Sequence, residues 1–382
     1  MVKSKDRFFN FDILKCIAIS MVLFIHIVAS ELYSYGEISR NRWMTANIID
    51  SFSRICVPLF VMVSGFFLLR KDEDVKVFFK KRFVKIIPKF FIYSVVFFIF
   101  VIIFKDVKND ELFLVFFRKS TYKTIILIFS KKESYHNFFS DFFQGKIYYH
   151  LWYIYMMLLL YLITPFLRKV VIKVDRKSID YLVYIWIAFI IVIPFLNAVF
   201  RKNIKIYSPV GQYIGYFLIG YLLFEKPLNM KKWQKYIIFF MMIFSIIFLT
   251  YIFTKSNSKF FDYFYDYHSI GVFGATVLFY DFFVNTFDGE KNLAKVKNVI
   301  KSVSAKTYDI YLIHPIFLFF CEKILKFKVN YFLYIIVTFV IVFLLSFFTS
   351  KILKVLYNLL TGINRQFYKK IELRIYKKIE GN

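Results

Sequence analysis

Cysteine is scarce in this chain of 382 residues. The three present, Cys16, Cys56 and Cys321, each sit inside an apolar run. An odd, dispersed set excludes a disulfide framework and offers no metal-ligand spacing, so no metal is expected. Eleven glycines and seven prolines gather into no linker, and no internal repeat is visible. The chain therefore reads as one integral-membrane domain rather than a string of modules. Acidic residues number 25 against 53 Lys and Arg. That basic excess lies between apolar runs and not on one polar face, which argues against nucleic acid as a partner. What is abundant is apolar: 59% of residues are hydrophobic, with 54 Phe and 29 Tyr. A soluble globule of this length cannot bury so much, and the expected fold class is an all-α polytopic membrane protein.

A spanning helix needs about 20 mostly apolar residues. Ten stretches qualify: 11–30, 47–69, 86–104, 149–167, 181–200, 207–224, 234–254, 267–287, 305–325 and 329–350. The first lacks a small-x-small cleavage site and reads as a retained span, not a leader. The stretch 110–143 is apolar but broken by Arg118, Lys119 and Lys123, so it reads as interfacial or re-entrant. With both termini cytoplasmic, the inner loops and tails hold the larger share of Lys and Arg, as the positive-inside rule requires. Residues 1–352 form the membrane domain. Residues 353–382 mix Leu, Ile and Tyr with Lys and Arg, as in an amphipathic helix on an anionic leaflet. The lipid bilayer is thus the first expected partner, with the cell membrane as the location.

Ionisable residues inside a span are expensive, so each is a functional candidate. "NFDILKCIAISMVLFIHIVAS" carries Lys15 and His26 in the first span. Eleven residues turn a helix by about 1100°, roughly 20° from whole turns, so the two share a face about 16–17 Å apart. Lys15 then lies near the cytoplasmic mouth and His26 deeper. A lysine there holds a phosphate, or it snorkels. A histidine there is a general base, or a polar helix contact. Asp12 lies on nearly the same face and either pairs with Lys15 or caps the helix. A long donor with phosphates at one end and a thioester at the other, such as acyl-CoA, fits that spacing.

Arg54 sits within the second span and needs a carboxylate, a carbonyl or an anionic ligand; Pro58 and Ser64-Gly65 allow a bend or close packing. "KKRFVKIIP" clusters Lys81, Arg82 and Lys85 at the inner surface, as plain positive-inside charge or as a phosphate cradle. His150 and Trp152 open the fourth span; a membrane belt accounts for the tryptophan but not for the histidine. "TYDIYLIHP" places Asp309 and His314 in the ninth span, on different faces. His268, at a span edge, and His136, in a loop, are given no role.

These segments together resemble the acyltransferase-3 family of integral membrane acyltransferases. The resemblance rests on Lys15–His26, "VPLFVMVSGFFLL", "KKRFVKIIP", "HLWYIYMMLLLYLITP", "GYFLIGYLLF" and "TYDIYLIHP", in the family's order, from about residue 7 to 350. It implies a fold of about ten helices and an acyl-CoA-dependent O-acyltransferase, with no bound cofactor and acetyl-CoA as the first expected co-substrate. By position, His26 is implied as base or proton relay, and Lys15, Arg82 and Lys85 as the donor-binding set. Lys15 replaces the family's frequent Arg, so a point charge stands for a bidentate fork. Arg54 is a candidate for oxyanion stabilisation, and His150, Trp152 and His314 are assigned to the acceptor side or to structure. No esterase-like extracytoplasmic domain is visible, which resembles the stand-alone members that act on a cell-surface glycan or its lipid-linked precursor. The alternative is a polysaccharide exporter or flippase without acyl transfer. The enzyme reading requires Lys15, Arg82 and Lys85 to converge at one mouth below His26.

Overall fold

The computed structural model describes residues 4–71, 73–104, 132–199, 209–325 and 330–360. These residues form helices and connecting turns with no strand among them. In chain order the helices are α1 (Ser4–Tyr33), α2 (Arg40–Ser53), α3 (Cys56–Leu69), α4 (Val75–Phe104), α5 (Lys132–Gln144), α6 (Trp152–Lys173), α7 (Arg176–Ile187) and α8 (Ile193–Val199). Then come α9 (Pro209–Glu225), α10 (Lys232–Asn257), α11 (Ile270–Asn285), α12 (Gly289–Leu293), α13 (Lys297–Ser304), α14 (Thr307–Leu325) and α15 (Tyr331–Leu360). A π-helical turn, Ala188–Val192, joins α7 to α8.

Eight helical stretches among the described residues are long and apolar enough to cross a membrane. The protein is therefore an all-α polytopic membrane protein, as composition predicts. Two of the ten expected spans fall outside those eight, for physical reasons. Helix α9 has only 17 residues. Helix α14 carries Asp309, Glu322 and Lys323. Both pack against other helices, α9 on α3 and α14 on α1 and α15. A helix wrapped by protein needs less hydropathy than one facing lipid. The basic tail beyond Leu360 and the charged run 105–131 lie outside the described residues. The rest of the expected interfacial stretch contains α5, which places position 136 in a helix and not a loop. Helix α15 continues through position 353.

Helix α1 is the axis of the assembly. It touches α2, α3, α11, α12, α13, α14 and α15. Its inner end is fastened by Asn10, which is fully buried. The amide donates to the carbonyls of Phe283 and Phe287, both at 2.8 Å, and its oxygen accepts from Gly289 N–H at 3.2 Å. One side chain thus satisfies the orphan carbonyls that end α11 and an amide that begins α12.

The second expected span is broken. Pro58 has no N–H to give the Arg54 carbonyl, so the ladder fails there and α2 ends at Ser53 while α3 begins at Cys56. The break holds Arg54 at mid-span. Helices α3 and α9 meet backbone to backbone. A methyl group on Gly65 would overlap the Phe217 carbonyl, and one on Gly220 would overlap the Met62 carbonyl. Small residues allow this approach, and with it comes van der Waals contact that larger side chains would prevent.

Candidate active site

Two helices and a turn bring three histidines together. His26 comes from α1, His150 from the turn before α6, and His314 from α14. The His26 and His314 rings are 5.2 Å apart, and His150 and His314 5.6 Å. Tyr149 closes on His26 at 5.1 Å. His26 therefore faces the protein interior and not lipid.

Each ring is held differently. Pro315 interrupts α14 and cannot donate to the Tyr311 carbonyl four residues earlier. His314 Nδ1 sits 2.7 Å from that carbonyl and takes the vacated acceptor. A carbonyl only accepts, so Nδ1 carries the hydrogen and Nε2 keeps a lone pair. Nε2 is buried without a hydrogen-bond partner. His150 Nε2 lies 3.3 Å from the Leu312 carbonyl, leaving its buried Nδ1 unpartnered. The Tyr311 hydroxyl donates to the His150 backbone carbonyl and ties the two segments together. His26 is only partly buried. It is positioned by its helix and by ring contacts.

Arg54 occupies the turn between α2 and α3. Its guanidinium pairs with buried Asp50, one turn earlier on α2, with Nε donating at 3.1 Å. It also covers the Tyr265 ring at 4.6 Å. The partner that a mid-span arginine demands is thus Asp50. Trp152 lies 6.0 Å from Tyr213 and 6.1 Å from Tyr267, so it belongs to an aromatic cluster between α6, α9 and the loop before α11. His268 is fixed there by Asp266, Nδ1 to Oδ1 at 2.9 Å.

A cavity of about 1220 Å³ leads towards the histidines from the end of the bundle that holds the start of α1. Lys15, Lys76, Lys80, Lys81, Lys85 and Lys89 line its mouth. Met157, Leu158 and Ile154 line its walls, and Phe60, Tyr153 and Tyr311 lie at its deep end. Behind Tyr311 are His150, at 5.3 Å between rings, and His314, at 5.9 Å. Lys15 pairs with Asp12 at 2.9 Å, and Lys89 with Asp309 at 2.6 Å.

Lys15 and Lys85 converge on this mouth, and Arg82 departs from the expectation. Its guanidinium turns away to Glu73, at 2.7 Å, and does not line the cavity. Glu73 also draws in Lys81 at 3.4 Å and Arg168 at 3.4 Å. Arg168 donates in addition to the Leu68 carbonyl at 2.7 Å. Glu73 thus fastens the α3–α4 loop to α4 through Arg82 and to α6 through Arg168. Lys89, overlooked in the sequence, has a readable signal. Lys81, Lys85 and Lys89 recur every four residues and share a helix face, while Arg82 lies about 100° round from Lys81.

Glu73 lies outside the spans, and its ionisation is set by these partners. Burial works to raise its pKa, but the hydrogen bond and charge of Arg82, then Lys81, outweigh it and hold the carboxyl at about 2. Its stabilisation is therefore complete above the ordinary carboxylate range and is lost as pH falls towards about 2. Glu73→Gln is expected to cost on the order of 2 kcal/mol at neutral pH, by removing charge-assisted bonds from two largely buried cations. Thermal unfolding of the detergent-solubilised variant checks this. An unchanged midpoint would mean the cluster contributes nothing.

A multi-pass helical bundle thus holds three histidines beside the deep end of a cavity whose mouth is lined by lysines. The family described as "Acyltransferase domain", acyltransferase-3, matches residues 8–351, and the chain belongs to it. It is a membrane acyltransferase. No curated protein and no solved structure matches the chain.

Proposed function

We propose that the protein is an acyl-CoA-dependent O-acyltransferase of the cell membrane, moving an acetyl group to a hydroxyl of a cell-surface glycan or its lipid-linked precursor. The observation that carries this reading is the cavity, with lysines at the mouth, apolar walls, and histidines behind its deep end. Lysine ammoniums are point charges suited to phosphates. Met157 and Leu158 suit a pantetheine arm. The basic mouth faces the cytoplasm, in keeping with the positive-inside rule, where acyl-CoA is made.

In this mechanism the thioester lies beside the histidines. His26 takes the proton of the acceptor hydroxyl while the oxygen attacks the thioester carbonyl. The carbon–sulfur bond breaks, and CoA leaves as the thiol once it receives a proton. Arg54, locked by Asp50 and Tyr265, supplies positive charge towards the oxygen that becomes negative. His314 and His150 pass or hold protons behind His26. Trp152 and its aromatic cluster face the acceptor.

The test is CoA release by purified protein with acetyl-CoA and lipid-linked glycan extract. Glycan-dependent thiol release supports the reading. No release with any short acyl-CoA, across several extracts, would shift it to an exporter. Lys85→Glu and Lys89→Glu are each expected to raise KM for acetyl-CoA on the order of tenfold with kcat nearly kept, because they alter phosphate binding remote from the thioester. Equal loss in kcat would place these lysines elsewhere in the cycle.

A further inference from the structure

The acetyl-CoA reading does not say which residues would exclude a longer acyl chain. Resting on that reading, we infer that Phe60, Tyr153 and Tyr311 form an aromatic floor that restricts the donor to short acyl groups.

The three rings come from three helices, α3, α6 and α14, and form a continuous row. Phe60 and Tyr153 are 6.3 Å apart, and Tyr153 and Tyr311 5.4 Å. All three line the deep end of the cavity. His26, His150 and His314 do not line it, so the floor separates the open volume from the histidines. Tyr311 is anchored, since its hydroxyl is bonded to the His150 carbonyl. Phe60 and Tyr153 have no such tether and are partly open to the cavity.

Beyond the floor Leu151, Leu312 and His314 are completely buried, His150 is nearly so, and His26 is half-buried. A thioester carbonyl that reaches the histidines must cross the floor, and only the acyl group then lies past it. Two carbons need little room there. Each further methylene must displace a packed side chain, and protein interiors resist that strongly. The open volume on the near side serves the pantetheine arm and adds nothing to acyl capacity. Phe60 and Tyr153 are therefore specificity-determining, and Tyr311 is a positioning residue that acts through His150.

The experiment uses the full chain in nanodiscs and thioether analogues of acetyl-, butyryl-, hexanoyl- and octanoyl-CoA, with affinity read by calorimetry. Wild type is expected to lose about tenfold or more in affinity by hexanoyl, given the discrimination a tight pocket makes per methylene. Phe60→Ala and, separately, Tyr153→Leu are expected to move that cut-off by at least two carbons while retaining the acetyl analogue. Two variants on different helices guard against a single folding defect. A cut-off that stays in place in both folded variants overturns the inference, as does a wild type that binds all four analogues equally. A wild type that binds no analogue of any length rejects the acyl-CoA reading itself.

Discussion

Replacing His26 with alanine is expected to lower acyl transfer by about 10²–10⁴-fold, the span that a general base supplies. The ring touches His314 and Tyr149 but is only partly buried, and its removal leaves no polar group newly stranded. Acetyl-CoA affinity and thermal stability are therefore expected to stay near wild type while turnover collapses. That split is the diagnostic readout. If turnover stays within threefold, the base lies elsewhere. His314 is the next candidate, because its Nε2 is buried with a free lone pair. His314→Ala would also strip the Tyr311 carbonyl of its only compensation for Pro315, so that variant should lose stability as well as rate.

The second large effect is structural. Gly220→Leu is expected to cost at least about 3 kcal/mol and to prevent recovery of monodisperse protein, because the new side chain meets backbone and not a movable side chain. Gly65→Leu should behave alike, since the two glycines sit on opposite sides of one crossing. Gly274→Ala is the control, because an added methyl there meets the flexible side chain of Met242. Size-exclusion profiles and unfolding midpoints in detergent compare the three. A Gly220→Leu protein that elutes and melts like wild type would contradict the backbone contact between α3 and α9.

Most of this architecture could be read from hydropathy, because lipid imposes one strong rule on every surface helix. That rule weakens where protein replaces lipid, as it does around α9 and α14. The shared face of Lys15 and His26 was also legible, since both lie on one helix with a fixed pitch. The convergence of His26, His150 and His314 was not. It depends on how three segments distant in the chain are placed, and no spacing within any of them reports it. Arg82 shows the converse limit. Its position in a basic run suggested a phosphate ligand, yet Glu73 lies nine residues earlier and claims it. Lys235 and Asp281 pair in the same unannounced way, a buried ion pair between α10 and α11 that neither apolar run betrays.

The clamp at Asn10 has a consequence for how the protein is made. Its partners Phe283, Phe287 and Gly289 lie 273, 277 and 279 positions later in the chain. His314 is later still. The ribosome adds about 5–20 residues per second, so the first helix waits on the order of tens of seconds in the bilayer before its permanent neighbours emerge. During that interval Lys15 and His26 have no finished site around them. A nascent chain halted before α14 would be inserted, would present most of its spans, and would still lack the wall that carries Tyr311 and His314. Completion of the site is thus a late event in biosynthesis, gated by the arrival of α14.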